Sequence, residues 1–362
     1  MDSPDKISLD KLRAIPYFDS KSWTPSRELT CLSFFVEGEW QCWLPLSGEL
    51  VKMKMEPCQA DYFGDRSERP TDNCFRFLHL TAQRASFTEM HRASRGIWND
   101  FQDLAASLAK IKLFFETSKT KGRETTRFVQ TEVEFIVMVC RSVFDLLQEM
   151  IAAHWNRIEL FEKPKHKRKL KSSFADIVLH GETIRTSEQI TERFGLPKFF
   201  ADWYVSQAPF FVSLRRLRNE MAHGGNVAVK GLYSTERGYA IHRWEKPWCS
   251  FYEWPKDVEL PNQLVPIRPV LCSIISKVIA ATDSFAQVLE GTIHLPNPLF
   301  PGFYFFSRGY YDRELSEISQ VLEHSWWCDA DSEVTGPEAA SAVAIPSGDK
   351  GCIPLTRPSD GN

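Results

Sequence analysis

The sequence predicts a mainly α-helical protein: a helical bundle with a small β-containing addition at its amino terminus and a β-hairpin inserted before its last helix. Three observations carry this reading. Ile97, Phe101, Leu104, Leu108, Ile111 and Phe115 recur at helical spacing, and Phe128, Phe135, Val139, Leu146 and Met150 do so farther along. A third apolar stretch runs through Ile267, Leu271, Ile274, Ile275, Val278 and Ile279 to Val288. Stripes of this period leave one apolar face per helix, so each helix must bury its face against another. Finally, short aromatic and β-branched runs broken by Gly and Pro, the text of strands, are confined to the first part of the chain and to one place near residue 238.

In chain order, residues 1–27 are polar and irregular. Residues 31–36, 40–44 and 51–55, separated by Glu37-Gly38-Glu39 and by a Pro- and Gly-bearing turn, predict two or three strands joined by hairpins. Their aromatics are read as packing, with a base-stacking platform as the alternative. Pro57, Gly64, Pro70 and Asn73 mark residues 57–74 as a loop. Helical text starts near Ala85 and is firm over 97–116, residues 119–124 form a polar link, and a second long helix is expected over about 125–162. Thr186-Ser187-Glu188-Gln189 has the form of a capping box and opens a short helix to Phe194, stopped by Gly195 and Pro197. Residues 198–207 give another helix, and Pro209 suits the first turn of the one that follows. Residues 227–233 and 239–245 flank Glu236-Arg237-Gly238 as a hairpin, and 267–290 form the last bundle helix with Gly291 as its stop. Residues 295–311 read as irregular, 313–324 as a short helix, and the small residues, Pro and Gly from Asp329 onward predict disorder. The expected units are therefore a β-containing addition (1–92), the bundle with its hairpin (93–291), an aromatic and Pro-rich segment (292–328) and a disordered tail (329–362).

At 362 residues the chain is long enough for one sizeable domain with additions, or for two domains. With 43% apolar residues, 25% charged residues and a net charge of −3, overall charge does not mark a nucleic-acid binder, so any such contact must come from a local patch. No run approaches the ~20 apolar residues that cross a bilayer. Met1-Asp2-Ser3-Pro4-Asp5 also lacks the regions of a signal peptide, and together these predict a soluble cytoplasmic protein with no membrane contact. The nine cysteines have irregular spacing, which predicts reduced, mostly buried thiols. A zinc set drawn from Cys58, Cys74, His79 and His91 fits no common ligand pattern, and no metal or other cofactor is expected.

The stretch from Leu214 to Gly225 puts chemistry on a helix. Phe210, Leu214, Leu217 and Met221 fix its inward side, while Arg215, Arg216, Arg218, Asn219 and His223 fall on the opposite side. Arg218 and His223 diverge by roughly 140° and border that polar face, with Arg215 and Asn219 between them. Gly224 and Gly225 suit a left-handed helix stop, so His223 belongs to the last turn, where the helix dipole favours its cationic form. Each residue alone is ordinary surface or a C-terminal cap. Their combination is not, since a solvated face normally mixes Glu and Lys, and only Glu220 stands near this one.

Arg218-Asn219-Glu220-Met221-Ala222-His223 resembles the signature of the HEPN superfamily, an Arg followed by a polar residue and, after an interval of four to six residues, a His. The resemblance implies a helical bundle that forms homodimers, and a metal-independent ribonuclease acting as a toxin or in antiviral defence. It covers the motif helix and, more loosely, the bundle around it. Implied roles follow: His223 moves the proton, Arg218 grips the non-bridging phosphate oxygens, and Asn219 positions one or the other. One helix offers one such His, so a pair of proton-transfer groups requires two copies facing across a twofold axis. The implied products are a 2′,3′-cyclic phosphate and a 5′-hydroxyl. The alternatives are a non-catalytic scaffold that binds RNA, nucleotide or a partner protein, and a toxin restrained by an antitoxin or a defence-system partner.

Two further clusters bear on this site. Lys163, Lys165, Lys167, Arg168, Lys169 and Lys171 form a cationic run, read either as a solvated connection or as an electrostatic arm for RNA. With Arg215 and Arg216, the cations Lys165, Lys167, Arg168 and Lys169 are the expected RNA contacts. Glu134, Arg141 and Asp145 share one line of the second long helix. Arg141 and Asp145 are expected to pair at i, i+4, and the functional alternative has Glu134 or Asp145 supporting Arg218 from across the bundle.

Overall fold

The computed structural model describes residues 7–84, 87–162, 166–223, 231–323 and 326–327, and of residues 88, 89, 222 and 223 only the backbone. Helix makes up 52% of it, yet the remainder contains a five-stranded mixed sheet and two small sheets. The fold is α/β, and the expected mainly α bundle with a small β addition is wrong.

Two strands hidden from the sequence reading account for the difference. The amino-terminal text does form β1 (Ser33–Val36), β2 (Glu39–Leu46) and β3 (Glu49–Met53), an antiparallel meander. Its two turns, Glu37-Gly38 and Ser47-Gly48, have positive φ at both residues, which matches the right-handed twist of a tight hairpin. However, β4 (Ala60–Gly64) lies in the stretch read as a loop, and β10 (Tyr304–Arg308) lies in the segment read as irregular. β4 runs parallel to β1 and antiparallel to β10, giving the order β10-β4-β1-β2-β3. Each is five residues long, and their pairing spans most of the chain, so no local hairpin signal exists for either.

The helices pack on one face of this sheet. Before it, α1 (Leu9–Leu12) buries Leu12; after β4 come α2 (Arg76–Arg84), α3 (Thr88–Lys121) and α4 (Thr126–His154). α3 and α4 form a helical hairpin, with Gly122 left-handed at φ 58 and its N–H on Ser118 O at 3.0 Å. Then follow α5 (Phe174–Val178), the hairpin β5 (Leu179–His180) and β6 (Thr183–Ile184), and α6 (Ser187–Phe194), whose capping box at Thr186 and Gln189 is present as expected. α7 (Lys198–His223) is one continuous helix with Pro209 inside it, not two helices with Pro209 in a first turn. β7 (Tyr233–Thr235) and β8 (Gly238–His242) make the predicted turn at Glu236-Arg237, and β9 (Leu264–Pro266) adds a third strand. α8 (Arg268–Thr292) carries Gly291 within its last turn. Short helices α9 (Asp312–Ser316) and α10 (Ile318–Glu323) end the described chain, and the tail expected to be disordered lies outside the described residues.

α8 is long and apolar enough, by length and composition alone, to cross a membrane, contrary to the expectation that no stretch would be. Here it is a core helix: Val270, Leu271, Ile274, Ile275, Val278 and Phe285 are inaccessible to solvent, and it packs on α2, α4 and α7.

Polar clamps hold the two ends of the chain in one body. Arg27, 2% exposed, donates to Ser22 O at 2.8 Å, Asn297 O at 2.9 Å and Gln83 O at 2.6 Å. The Gln83 amide in turn donates to Phe300 O and Phe303 O, both at 2.8 Å, and accepts from Phe300 N–H at 2.9 Å. Arg308 at the end of β10 is 3% exposed, grips Asp72 through Nε at 2.8 Å and Nη2 at 2.7 Å, and also pairs with Glu68. Its guanidinium lies 5.0 Å from the centre of the Trp40 ring, closing a small aromatic cluster of Phe35, Trp40, Tyr62 and Phe306 on the far face of the sheet. The amino-terminal aromatics are thus packing, as read. Arg308→Ala leaves the Asp72 carboxylate, whose side chain is 1% exposed, without its cation and with only the Tyr62 hydroxyl and the Arg69 N–H as donors, and should cost about 3 kcal/mol in denaturant unfolding.

Candidate functional site

The motif helix presents its faces as the apolar spacing dictates. Leu214 and Leu217 are fully buried and Met221 is 6% exposed, whereas Phe210 is half-buried with its ring beside Phe144 and Phe251. On the other side Arg216 and Glu220 are exposed, and Arg215, Arg218 and Asn219 are half-buried. Arg218 Nη1 donates to Asn219 Oδ1 at 3.3 Å, a contact between neighbours that tilts the guanidinium along the helix surface. Among the described residues no ion pair joins Arg215, Arg216 or Arg218 to a carboxylate. The side chain of His223 lies outside the described residues, as do Gly224 and Gly225.

An open cleft of about 500 Å³ follows this face, lined by Arg215, Arg216, Asn219 and Glu220 with Val212 at its floor. Its opposite wall is Leu179 and Glu182 of the β5–β6 hairpin, residues the sequence reading did not single out. A signal was present, since Gly181 sits at φ 62 in a two-residue turn between Leu179-His180 and Thr183-Ile184. Arg218 is not among the lining residues, so it borders the cleft and does not face into it. The cleft offers two free guanidiniums, an amide and two carboxylates, a surface that recognises an anion only where the arginines outreach Glu182 and Glu220.

The cationic run is elsewhere. Lys165 lies outside the described residues. Lys167 Nζ donates to Ile158 O at 2.6 Å and stands 4.6 Å over the Trp155 ring, and burial pulls its pKa down. One side-chain and one backbone contact fasten the run to the end of α6: His166 Nε2 meets Glu192 O at 2.8 Å, and Arg168 N–H bonds Phe194 O at 3.2 Å. Gly195 at φ 73 is needed there, because a Cβ would fall 1.9 Å from His166 O. Arg168 and Lys169 remain exposed. Tyr204 bonds Gln148 and Phe211 packs on Phe144, so α4 and α7 run antiparallel. Trp155 and Lys167 therefore lie beyond the start of α7, roughly 25 Å from the arginine face at 1.5 Å per residue, while Lys171 O accepts from the Gln148 amide at 2.7 Å, level with Tyr204 and roughly 16 Å along the helix from Arg215. One chain does not bring the two together.

The acidic line on α4 resolves into separate roles. Asp145 pairs with Arg141 and accepts Phe174 N–H at 3.2 Å, as the simpler reading of the i, i+4 spacing expects. Glu134 keeps one carboxylate oxygen buried and without a hydrogen-bond partner among the described residues. The antiparallel register places it level with residues 218–221 of α7. Cys58, Cys74, His79 and His91 are not gathered, for no cluster of three metal-ligating side chains occurs among the described residues. His79 Nδ1 instead accepts Phe305 N–H at 3.1 Å, and burial pushes its pKa down to about 4.

Comparison of the chain with protein-family models, curated proteins and solved structures returns no match. The site is read from its own residues. Because one oxygen of Glu134 is desolvated without compensation, Glu134→Met should leave the unfolding free energy within about 1 kcal/mol of wild type or raise it, measured by urea titration.

Proposed function

We propose that this chain is a metal-independent endoribonuclease whose working residues are Arg218, Asn219 and His223 at the carboxyl end of α7, the residues that carry the HEPN resemblance. The observation that carries this reading is the arginine face itself. Among the described residues these three guanidiniums within one turn make no ion pair with a carboxylate, although Glu182 and Glu220 line the same open cleft, and like charges so close are kept at a cost in helix stability. Such a face is suited to a polyanion.

In the reaction a base takes the proton of the 2′-hydroxyl, that oxygen attacks phosphorus, and the P–O5′ bond breaks as the 5′-oxygen gains a proton. A 2′,3′-cyclic phosphate and a 5′-hydroxyl result, with no net proton change. The His223 imidazole is the proton-transfer group. Arg218 holds the charge that develops on the non-bridging oxygens, and Asn219, already bonded to Arg218, keeps the guanidinium aligned. Glu134, level with this turn from across the helix pair, is the positioning residue.

A second proton-transfer group comes from a second copy. Phe128, 58% exposed with its ring stacked on Phe114 of α3, and Met138, 49% exposed, are the exposed large apolar side chains of α4 among the described residues, and we take them as contacts with the second copy. Phe128→Arg should shift a dimer to monomer in analytical ultracentrifugation and abolish cleavage.

Cleavage of a mixed-sequence RNA in the presence of a chelator tests the reading. Wild type should cut, leaving 5′-hydroxyl ends, while His223→Ala and Arg218→Ala lose about a hundredfold or more in rate and keep RNA binding. A wild type that binds RNA without cutting it assigns the site to a non-catalytic scaffold.

A further inference from the structure

A second polar cavity, of about 360 Å³, lies between the sheet and the amino-terminal half of α3, away from the motif cleft. The strand alternation makes it unusual. On β4 and β10, Phe63 and Phe305 point into the main core while Tyr62 and Phe306 point to the other face. Asp61, two residues before Phe63, belongs to the same side as Phe63 and Phe305, on a strand paired on both edges. A core-facing register position is thus held by a carboxyl group. Its Oδ1 is buried and has no hydrogen-bond partner among the described residues. Burial pushes the Asp61 pKa up to about 6, with Arg95 opposing and Asp312 adding to the rise. An apolar residue here would be more stable, so the carboxylate is retained against the interest of the fold.

The wall facing Asp61 is built for recognition. His91, Arg95, Trp98 and Asn99 fall at i, i+4, i+7 and i+8 on one side of α3 and line the same cavity, with Phe305 completing an apolar patch. Arg95 and Asn99 are exposed at the mouth, and Trp98 is half-buried. The lining therefore combines a buried acceptor, an exposed cation and flat apolar side chains, at a volume within the range of small-ligand sites.

We propose that this cavity binds a small planar-ended ligand that presents an N–C–N edge with two N–H donors to Asp61 and an anionic group to Arg95. Two donors on adjacent nitrogens match the two oxygens of one carboxylate, and a bidentate pair supplies the bonds the desolvated group lacks. Guanine nucleotides and free arginine share this chemistry: the N1–H and amino edge of guanine or the guanidinium of arginine meets Asp61, and the phosphate or the α-carboxylate meets Arg95.

Titration calorimetry and thermal melting of the full chain with GMP and with L-arginine test the proposal, with AMP and L-lysine as matched ligands that lack the N–C–N two-donor edge. Binding of one molecule of GMP or of arginine per chain, with no response to its matched control, supports the proposal and identifies the source. Asp61→Asn should remove that binding by about tenfold or more while melting at or above the wild-type temperature, whereas a merely structural Asp61–Arg95 pair would make the variant melt lower. Arg95→Ala, a change at an exposed residue, should weaken the same ligand severalfold in a folded protein even if the Asp61 variant does not fold. Silence from both ligands, equal response to the controls, or binding unchanged in both variants overturns the proposal. Since no RNA is cut in these measurements, they stand or fall separately from the activity of α7.

Discussion

The contact on which the architecture depends is the grip of Arg308 on Asp72 and Glu68. It joins residues 236 positions apart, and both Arg308 and Asp72 are nearly inaccessible to solvent. An ion pair so buried adds little net stability over an apolar replacement, but either partner alone is costly, so the pair enforces one arrangement. It sets β10 beside β4 and so turns an amino-terminal meander into the sheet of the whole molecule. Arg27 and Gln83 act in the same sense one layer away, by supplying donors and acceptors to the backbone of residues 297–303, which otherwise would have no regular partner.

This explains which parts of the fold were legible. Helices whose stripe repeats over four or more turns, such as those at Ile97–Phe115 and at α8, declare themselves because burial of one face is a local pattern. The Thr186 capping box and the hairpin at Glu37-Gly38 are likewise short-range devices. β4 and β10 are not. Their pairing is made by residues far apart in sequence, and the Pro and Gly residues around them are the same signals that mark loops. Treating those breakers as the end of structure hid a parallel strand pair and cost the fold class. Pro209 misled in the opposite direction, since a helix buried by α4, α6 and α8 tolerates one missing backbone donor.

The polar face of α7 was more legible than the fold, because a helix fixes which side chains share a side whatever it packs against. Arg215, Arg216 and Asn219 do meet in one cleft. What periodicity could not show is the opposite wall. The β5–β6 hairpin reaches α7 through the tertiary path of residues 166–184, and it brings Glu182 to the arginines. Nor could it show that the cationic run is tied to α6 by its own backbone, which sends Lys167 to Ile158 and Trp155 instead of to the cleft. Charge density in sequence says how strongly a segment attracts an anion, and nothing about where.

Losing the bundle removes fold as a support for the reading of α7, and it also makes the local case stricter. Chemistry resides in sites and not in architectures, so an arginine, an amide and an imidazole on the last two turns of a helix can do the same work on an α/β body as on a bundle, provided their surroundings leave them free. On α4, Asp145 is occupied by Arg141 and by a backbone N–H, and Lys110 holds Glu132, while Glu182 and Glu220 share the cleft with Arg215 and Arg216 without an ion pair to them among the described residues. Of the α4 carboxylates, Glu134 has a buried oxygen without a partner among the described residues. Glu134 and Asp61 are thus the two carboxylates with a buried, unpartnered oxygen among the described residues, and such groups are costly to the fold that holds them.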